Sequence, residues 1–192
     1  MRVGFLMVIS GPSGVGKGTV CEQLLKENLD IKYSISATSR KKRPNEENGK
    51  NYFFCSEDEF KKMAQEGKML EFAKVHGNYY GTPKKFVLDS ISQGDVVILE
   101  IDVQGAMQIK ENYPDAVFVF LLPPNFDELK KRIVKRNTED IETINLRMKN
   151  AENEVKFINE YDYAVVNEEV KDTVEKIKAI IQAERLKVVY RK

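Results

Sequence analysis

The stretch GPSGVGKGT, residues 11–19, constrains this chain more than any other. It holds Gly11-x-x-x-x-Gly16-Lys17. A short apolar run, Val3–Ser10, precedes it, and Val20, Leu24 and Leu25 follow at helical spacing within Lys17–Asn28. The run stopped by Gly and Pro predicts a buried strand, and the spacing after it predicts a helix. Glycines between strand and helix let backbone N–H groups converge on an anion. The helix N-terminus adds partial positive charge, and Lys17 supplies a mobile full charge. Gly11, Pro12, Ser13, Gly14, Val15, Gly16, Lys17, Gly18 and Thr19 are therefore candidate ligands of nucleotide phosphates. A bare glycine-rich turn would account for the glycines and leave Lys17 without a task.

A strand feeding such a loop belongs inside a sheet with helices on its faces, and the rest of the chain supplies the layers. Val96–Ile101, Ala116–Leu122 and Tyr163–Val166 read as further core strands. Helical patterns cover Pro83–Gln93, Val103–Asn112, Asn125–Lys135, Ile141–Ile158 and Val170–Leu186. This alternation predicts an α/β fold with a parallel sheet flanked by helices. In Ile141–Ile158 the expected buried stripe is Ile141, Ile144, Met148, Ala151, Val155 and Ile158.

Two segments break the alternation. Residues 33–82 carry short strand patterns (Lys32–Ser36, Asn51–Phe54, Leu70–Val75), one helix near Ser56–Gln65, and many tyrosines and glycines. They read as a small mixed β insertion. Residues 124–149 are dense in Lys and Arg and read as a mobile helical lid hinged at Pro123-Pro124. The expected layout is one domain: a core of 1–32, 83–123 and 150–192, the insertion, and the lid.

Bulk properties narrow the partners. With 192 residues, 42 % hydrophobic and 32 % charged, the chain suits one globular domain. A net charge of +1 provides no whole-molecule field for nucleic acid or an anionic membrane. An anion site must come from local clustering. No run of about 18 apolar residues predicts a membrane span. The opening run passes straight into the glycine loop with no cleavage site, so it reads as a strand and not a signal peptide. Cys21 and Cys55 fall in no metal spacing, and a reduced, cytoplasmic chain is expected. His76, the one histidine, reads as structural or merely exposed.

Three further stretches carry chemistry. In SISATSRKKRP, 34–44, Arg40, Lys41, Lys42 and Arg43 crowd one loop; they are either a solvated charge run or an anion site. In GNYYGTP, 77–83, two adjacent tyrosines sit between glycines, and a phenol on a tight loop can donate to a phosphate oxygen. In MLEFA, 69–73, Glu71 stands alone in an apolar strand. A carboxylate there needs a partner, and the paired N1–H and N2–H donors of guanine are one.

Taken with NGKNYFF, ILEIDVQG, LLPP, LKKRIVKRNTED, the Arg147 helix and YDYAVVN, these stretches make nearly the whole chain resemble guanylate kinases, nucleoside monophosphate kinases of the phosphate-loop superfamily. The resemblance implies Mg²⁺-dependent transfer of the ATP γ-phosphoryl group to GMP, and to dGMP beside it. ADP and GDP are the products, in purine nucleotide metabolism and GTP supply. It implies that Ser36, Glu71 and Thr82 hold the guanine, with Asp102 near the base. Arg40, Arg43, Tyr52 and Tyr80 would grip the GMP phosphate. Lys17 and the loop would hold ATP, with Asn167 near the adenine. Arg132, Arg136 and Arg147 would close on the transferring group, with Lys17 and Arg43 among the catalytic cations. A monomer or homodimer is expected.

The chain departs from the family pattern in places. Gly18 stands where phosphate loops usually put a Mg²⁺-ligating hydroxyl, although nucleoside monophosphate kinases tolerate a GKGT ending. Mg²⁺ would then be held by ATP phosphates and water, with Thr19 or Glu100 in reach. Glu100, counted among the GMP-site residues, replaces the usual Asp at the end of the run Val96–Leu99. Asn137 replaces a glycine, and Lys41-Lys42 adds charge between the two arginines. Two rivals follow: a kinase for another nucleoside monophosphate, which would not need Glu71, and a non-catalytic scaffold domain of the same fold, which would not need Lys17.

Overall fold

A computed structural model describes residues 4–27, 30–75, 77–135 and 141–188. Its centre is a five-stranded, wholly parallel sheet. The strands are β1 (Phe5–Ser10), β2 (Ile31–Tyr33), β7 (Val96–Glu100), β8 (Val117–Leu122) and β9 (Tyr163–Val166), in the order β2-β7-β1-β8-β9. β1 is therefore the middle strand. Its side chains alternate between two cores. Met7 and Ile9 face α1 (Lys17–Glu27) and α7 (Val170–Leu186); Leu6 and Val8 face α3 (Lys84–Ser92) and α4 (Val103–Asn112). A strand buried on both faces reads as a continuous apolar run, which is why β1, β7 and β8 were legible.

The second sheet has four strands in the order β4-β3-β6-β5: β3 (Ala37–Thr38), β4 (Phe53–Phe54), β5 (Met69–Val75) and β6 (Asn78–Pro83). Helix α2 (Glu57–Gln65) opens with a capping box in which Ser56 and Glu59 satisfy each other's backbone N–H. It is pinned to this sheet by Phe60, fully buried and stacked on Tyr79 at 5.4 Å between ring centroids.

Three expectations change. The strand expected over Lys32–Ser36 is split. Ile31–Tyr33 pairs with Val96–Ile98 and belongs to the main sheet, while Ala37–Thr38 starts the small one. Ile31 and Tyr33 join the main core, so the alternation belongs to an edge strand covered on one side. The expected tight loop at GNYYGTP is instead β6, antiparallel to β5. Gly81 disguised it: a Cβ there would meet the Glu71 carbonyl oxygen at 2.7 Å and the Phe60 ring at 3.0 Å.

The lid region is the third. Helix α5 (Phe126–Lys135) is anchored by Leu129 and Ile133, both buried in the core beneath the loop. Helix α6 (Ile141–Val155) is followed by a 3₁₀ turn at Ile158–Glu160. It buries Ala151 fully and Ile144 and Met148 partly, but Ile141 is 76 % exposed and is no part of its stripe. His76, Arg136 and Asn137 lie outside the described residues. No helix among the described residues is long and apolar enough to cross a membrane.

Candidate active site

The glycine loop leaves β1 at the C-terminal edge of the parallel sheet, where strands end and helices begin and where open α/β sheets receive ligands. Gly16 has φ +103°, and a Cβ on it would stand 2.7 Å from Asn167 Nδ2. Neither the backbone nor the space admits a side chain. Asn167, 2 % exposed at the end of β9, braces the loop from behind. Its Nδ2 donates to the Val15 carbonyl at 2.7 Å, and its Oδ1 accepts from the Thr173 hydroxyl at 2.9 Å. Its two polar ends are thus engaged by the protein, although it lines an outer cleft of about 260 Å³ with Gly14, Gly16, Thr19 and Arg132.

Lys17 curls back over the loop, its ammonium donating to the Gly11 carbonyl at 2.6 Å and the Pro12 carbonyl at 3.2 Å. Burial pulls its pKa below the ordinary lysine range, opposed by Glu100, Glu154 and Asp102 nearby. Ser13 meets α6: the Arg147 guanidinium donates to its hydroxyl at 2.7 Å, and its backbone N–H donates to Glu154 Oε2 at 3.3 Å. Burial raises the Glu154 pKa, and Lys17 and the Ser13 N–H oppose that shift. Sequence reasoning missed Glu154. The signal was there, since seven residues after Arg147 a side chain returns to the same helix face.

Arg132 lies elsewhere. It donates to the carbonyls of Asn167 at 3.0 Å and Val15 at 3.4 Å, with Glu128 Oε1 3.3 Å from its Nε. The structure thus brings Arg147 to the loop's Ser13 and puts Arg132 over the outer cleft.

A second cleft, also of about 260 Å³, opens between the two sheets. Ser36, Tyr52, Glu71, Tyr80, Glu100 and Asp102 all line it. Glu71 is only 7 % exposed; its Oε1 accepts from the Thr82 hydroxyl at 2.7 Å. Burial pushes its pKa up to about 7, against the Thr82 hydrogen bond, with the charge of Asp102 adding to the rise. Thr82 is fully buried and faces Glu71 rather than the cleft. Asp102 caps α4, its Oδ1 accepting from the Gly105 N–H at 2.8 Å.

At the rim, the Arg40 guanidinium lies 5.5 Å from the centre of the Tyr52 ring and pairs with Glu46 at 2.6 Å. Tyr52 and Tyr80 pack edge to face at 6.0 Å. Glu46 also accepts the Arg43 backbone N–H at 2.8 Å, while the Arg43 side chain is exposed. Nothing in the sequence marks Glu46 out from the neighbouring acidic loop residues, and only the turn brings it back onto Arg40.

Between the clefts stands Glu100, at the end of β7 beside Ile9 of β1. Its carboxylate lies over Gly18, where a Cβ would be 3.6 Å from both oxygens. Among the described residues no group of three or more His, Cys, Asp or Glu side chains could cage a metal. One carboxylate against the start of α1 beside a phosphate loop, with the exposed Thr19 lining the outer cleft, fits an ion that keeps its waters and arrives on phosphate oxygens. That is the habit of Mg²⁺.

The guanylate kinase family model matches residues 4–184 of the chain. A guanylate kinase of Caldanaerobacter subterraneus subsp. tengcongensis is 54 % identical over 187 residues, 97 % of this chain and 91 % of that protein. One of Clostridium tetani is 52 % identical over 188 residues, 98 % and 90 % of the two chains. Among solved structures, the guanylate kinase of Anaplasma phagocytophilum superposes with a TM-score of 0.78 at 34 % identity, over 97 % of this chain and 89 % of that one.

Proposed function

The chain belongs to the guanylate kinase family, and from that premise we propose that it transfers the γ-phosphoryl group of Mg-ATP to GMP, yielding ADP and GDP. The observation that carries the reading is Glu71, a buried carboxylate aimed into a cleft whose other walls are Ser36, Tyr52, Tyr80 and Asp102. A buried carboxylate left without donors is costly. Guanine offers two parallel N–H donors on one edge, and no other common base presents that pair to a carboxylate. Thr82 holds Glu71 in place for them.

Phosphoryl transfer asks mainly for alignment and neutralised charge. ATP lies with its phosphates in the loop and its base toward the cleft beside Asn167 and Arg132. Lys17 exchanges the Gly11 and Pro12 carbonyls for the outer phosphate oxygens. GMP sits across Glu100, its phosphate on Arg40, Arg43, Tyr52 and Tyr80, with Arg40 released from Glu46. Arg147, already at Ser13, is placed to meet the group in flight, and Arg136 is assigned the same task by resemblance. Glu100 would hold Mg²⁺ through water, with Thr19 as a second candidate, and the ion would supply charge neutralisation on the ATP phosphates. The acceptor oxygen attacks in line with no enzyme-bound intermediate, and closure over the site keeps water from consuming ATP. The same pocket admits dGMP, since its protein contacts are to base and phosphate.

The test is ADP release from Mg-ATP with GMP, AMP, CMP, UMP or dTMP as acceptor. The expected result is rapid turnover with GMP alone. Turnover with another base would overturn the role of Glu71, and no turnover in a folded protein would leave a binding domain of the same fold.

A further inference from the structure

Two oddities of this loop, a glycine at 18 and a glutamate at 100, meet at one point, and Tyr33 joins them. Tyr33 ends β2 and pairs with Ile98 of β7, so its side chain lies on the sheet face that α1 covers. Glu100 is two residues further along β7 and points to the same face. The Tyr33 hydroxyl donates to Glu100 Oε2 at 3.2 Å. Directly over that carboxylate runs the first turn of α1, where a Cβ on Gly18 would stand 3.6 Å from each oxygen. A Cβ at that distance is in ordinary van der Waals contact, so any side chain at 18 would pack directly against the carboxylate.

Glutamate has one more rotor than aspartate, and an unrestrained carboxylate at that distance would lose orientation. The Tyr33 hydroxyl restrains that rotor from the far side, and Gly18 sets no side chain against the carboxylate.

We propose that Tyr33 is a positioning residue: it fixes the Glu100 carboxylate over Gly18, where the carboxylate, through a water ligand, performs the ion-orienting task that a hydroxyl at position 18 performs in other phosphate loops. Tyr33, Glu100 and Gly18 are then one interdependent unit. The inference rests on the reading that the loop binds Mg-ATP.

The test is calorimetric. The dissociation constant of ATP is measured with Mg²⁺ and with chelator, and the ratio of the two gives the affinity gained from the metal. In Tyr33→Phe this gain is expected to fall about tenfold, the usual scale for losing a partner of a metal-orienting group. The metal-free affinity and the melting temperature should stay at wild-type values. Glu100→Gln should lose at least as much of the gain, and adding Tyr33→Phe to it should lose no more, because Tyr33 acts only through Glu100. A Tyr33→Phe protein with an undiminished gain overturns the proposal. So does one that loses metal-free affinity and thermal stability together, or a double variant in which the two losses add. A wild-type protein that binds ATP no better with Mg²⁺ than without overturns the Mg-ATP reading itself, and is told apart because no variant is needed to see it.

Discussion

Glu71 carries its ionisation as a liability until a ligand arrives. Its pKa of about 7 means that the empty site holds a mixture of acid and carboxylate near neutral pH. Only the carboxylate accepts both guanine donors. Below pH 7 the KM for GMP should therefore rise by about tenfold per pH unit, as the ionised fraction falls. In Glu71→Gln the neutral amide can accept one donor and presents its own N–H to the other. That variant should show a much higher KM for GMP, an unchanged KM for ATP, and no Glu71-dependent slope between pH 6 and 8. Steady-state kinetics across that range checks all three, and an unchanged KM for GMP would sink the assignment. The need for a partner at Glu71 was legible from one carboxylate in an apolar strand. The hydrogen bond from Thr82 was not, because it crosses a hairpin that the sequence hides behind Gly81.

Elements, not single residues, set the loop's shape. Gly16 is held at φ +103° by the strand-to-helix turn, and Asn167 occupies the space beside it from β9. Gly16→Ala should cost about 1–3 kcal/mol from the strained backbone alone, with more from the contact with Asn167 Nδ2. ATP binding should weaken with it, while GMP binding, built on β5 and β6, stays close to wild type. Chemical denaturation and separate titrations of the two nucleotides check this; equal loss of both would mean that the two clefts are not independent. At this scale β1, β7, β8 and α1 were legible because their apolar runs end at Gly, Pro or a charge. The two-residue strand β3 carries too few residues to show a period, while β4 is the end of the stretch Asn51–Phe54 read as a strand. In the lid segment the frequent charges hide Leu129 and Ile133, four apart on α5, which pack into the core cluster.

For the whole molecule, Glu71 makes stability depend on pH in a stated direction. Its folded pKa of about 7 lies above the ordinary value of 4.5. The folded state therefore binds the proton more tightly than the unfolded chain, and the stability tied to that proton is present below pH 4.5. It is lost as pH rises, by about 3 kcal/mol once pH 7 is passed. Comparing the unfolding free energies of wild type and Glu71→Gln at pH 4.5 and 8 isolates this group. The wild type should lose stability relative to the variant over that interval, and a difference that stays flat would refute the raised pKa.

The sequence by itself determined the family, the central strand–loop–helix, the alternation of layers and most residues of both clefts. These are signalled by residue type and short-range period, and both survive in a string of letters. Only the tertiary structure decided who touches whom. Asn167 bonded the Val15 carbonyl behind the loop, Arg132 settled on backbone carbonyls, Glu154 took the Ser13 N–H, Glu46 closed on Arg40, and the Tyr33 hydroxyl met Glu100. Most of these contacts join residues far apart in the chain. Their partners are fixed by strand order and register, which place β9 behind the loop and Tyr33 two register positions before Glu100. Order and register are properties of the packed sheet, which no local stretch of sequence contains.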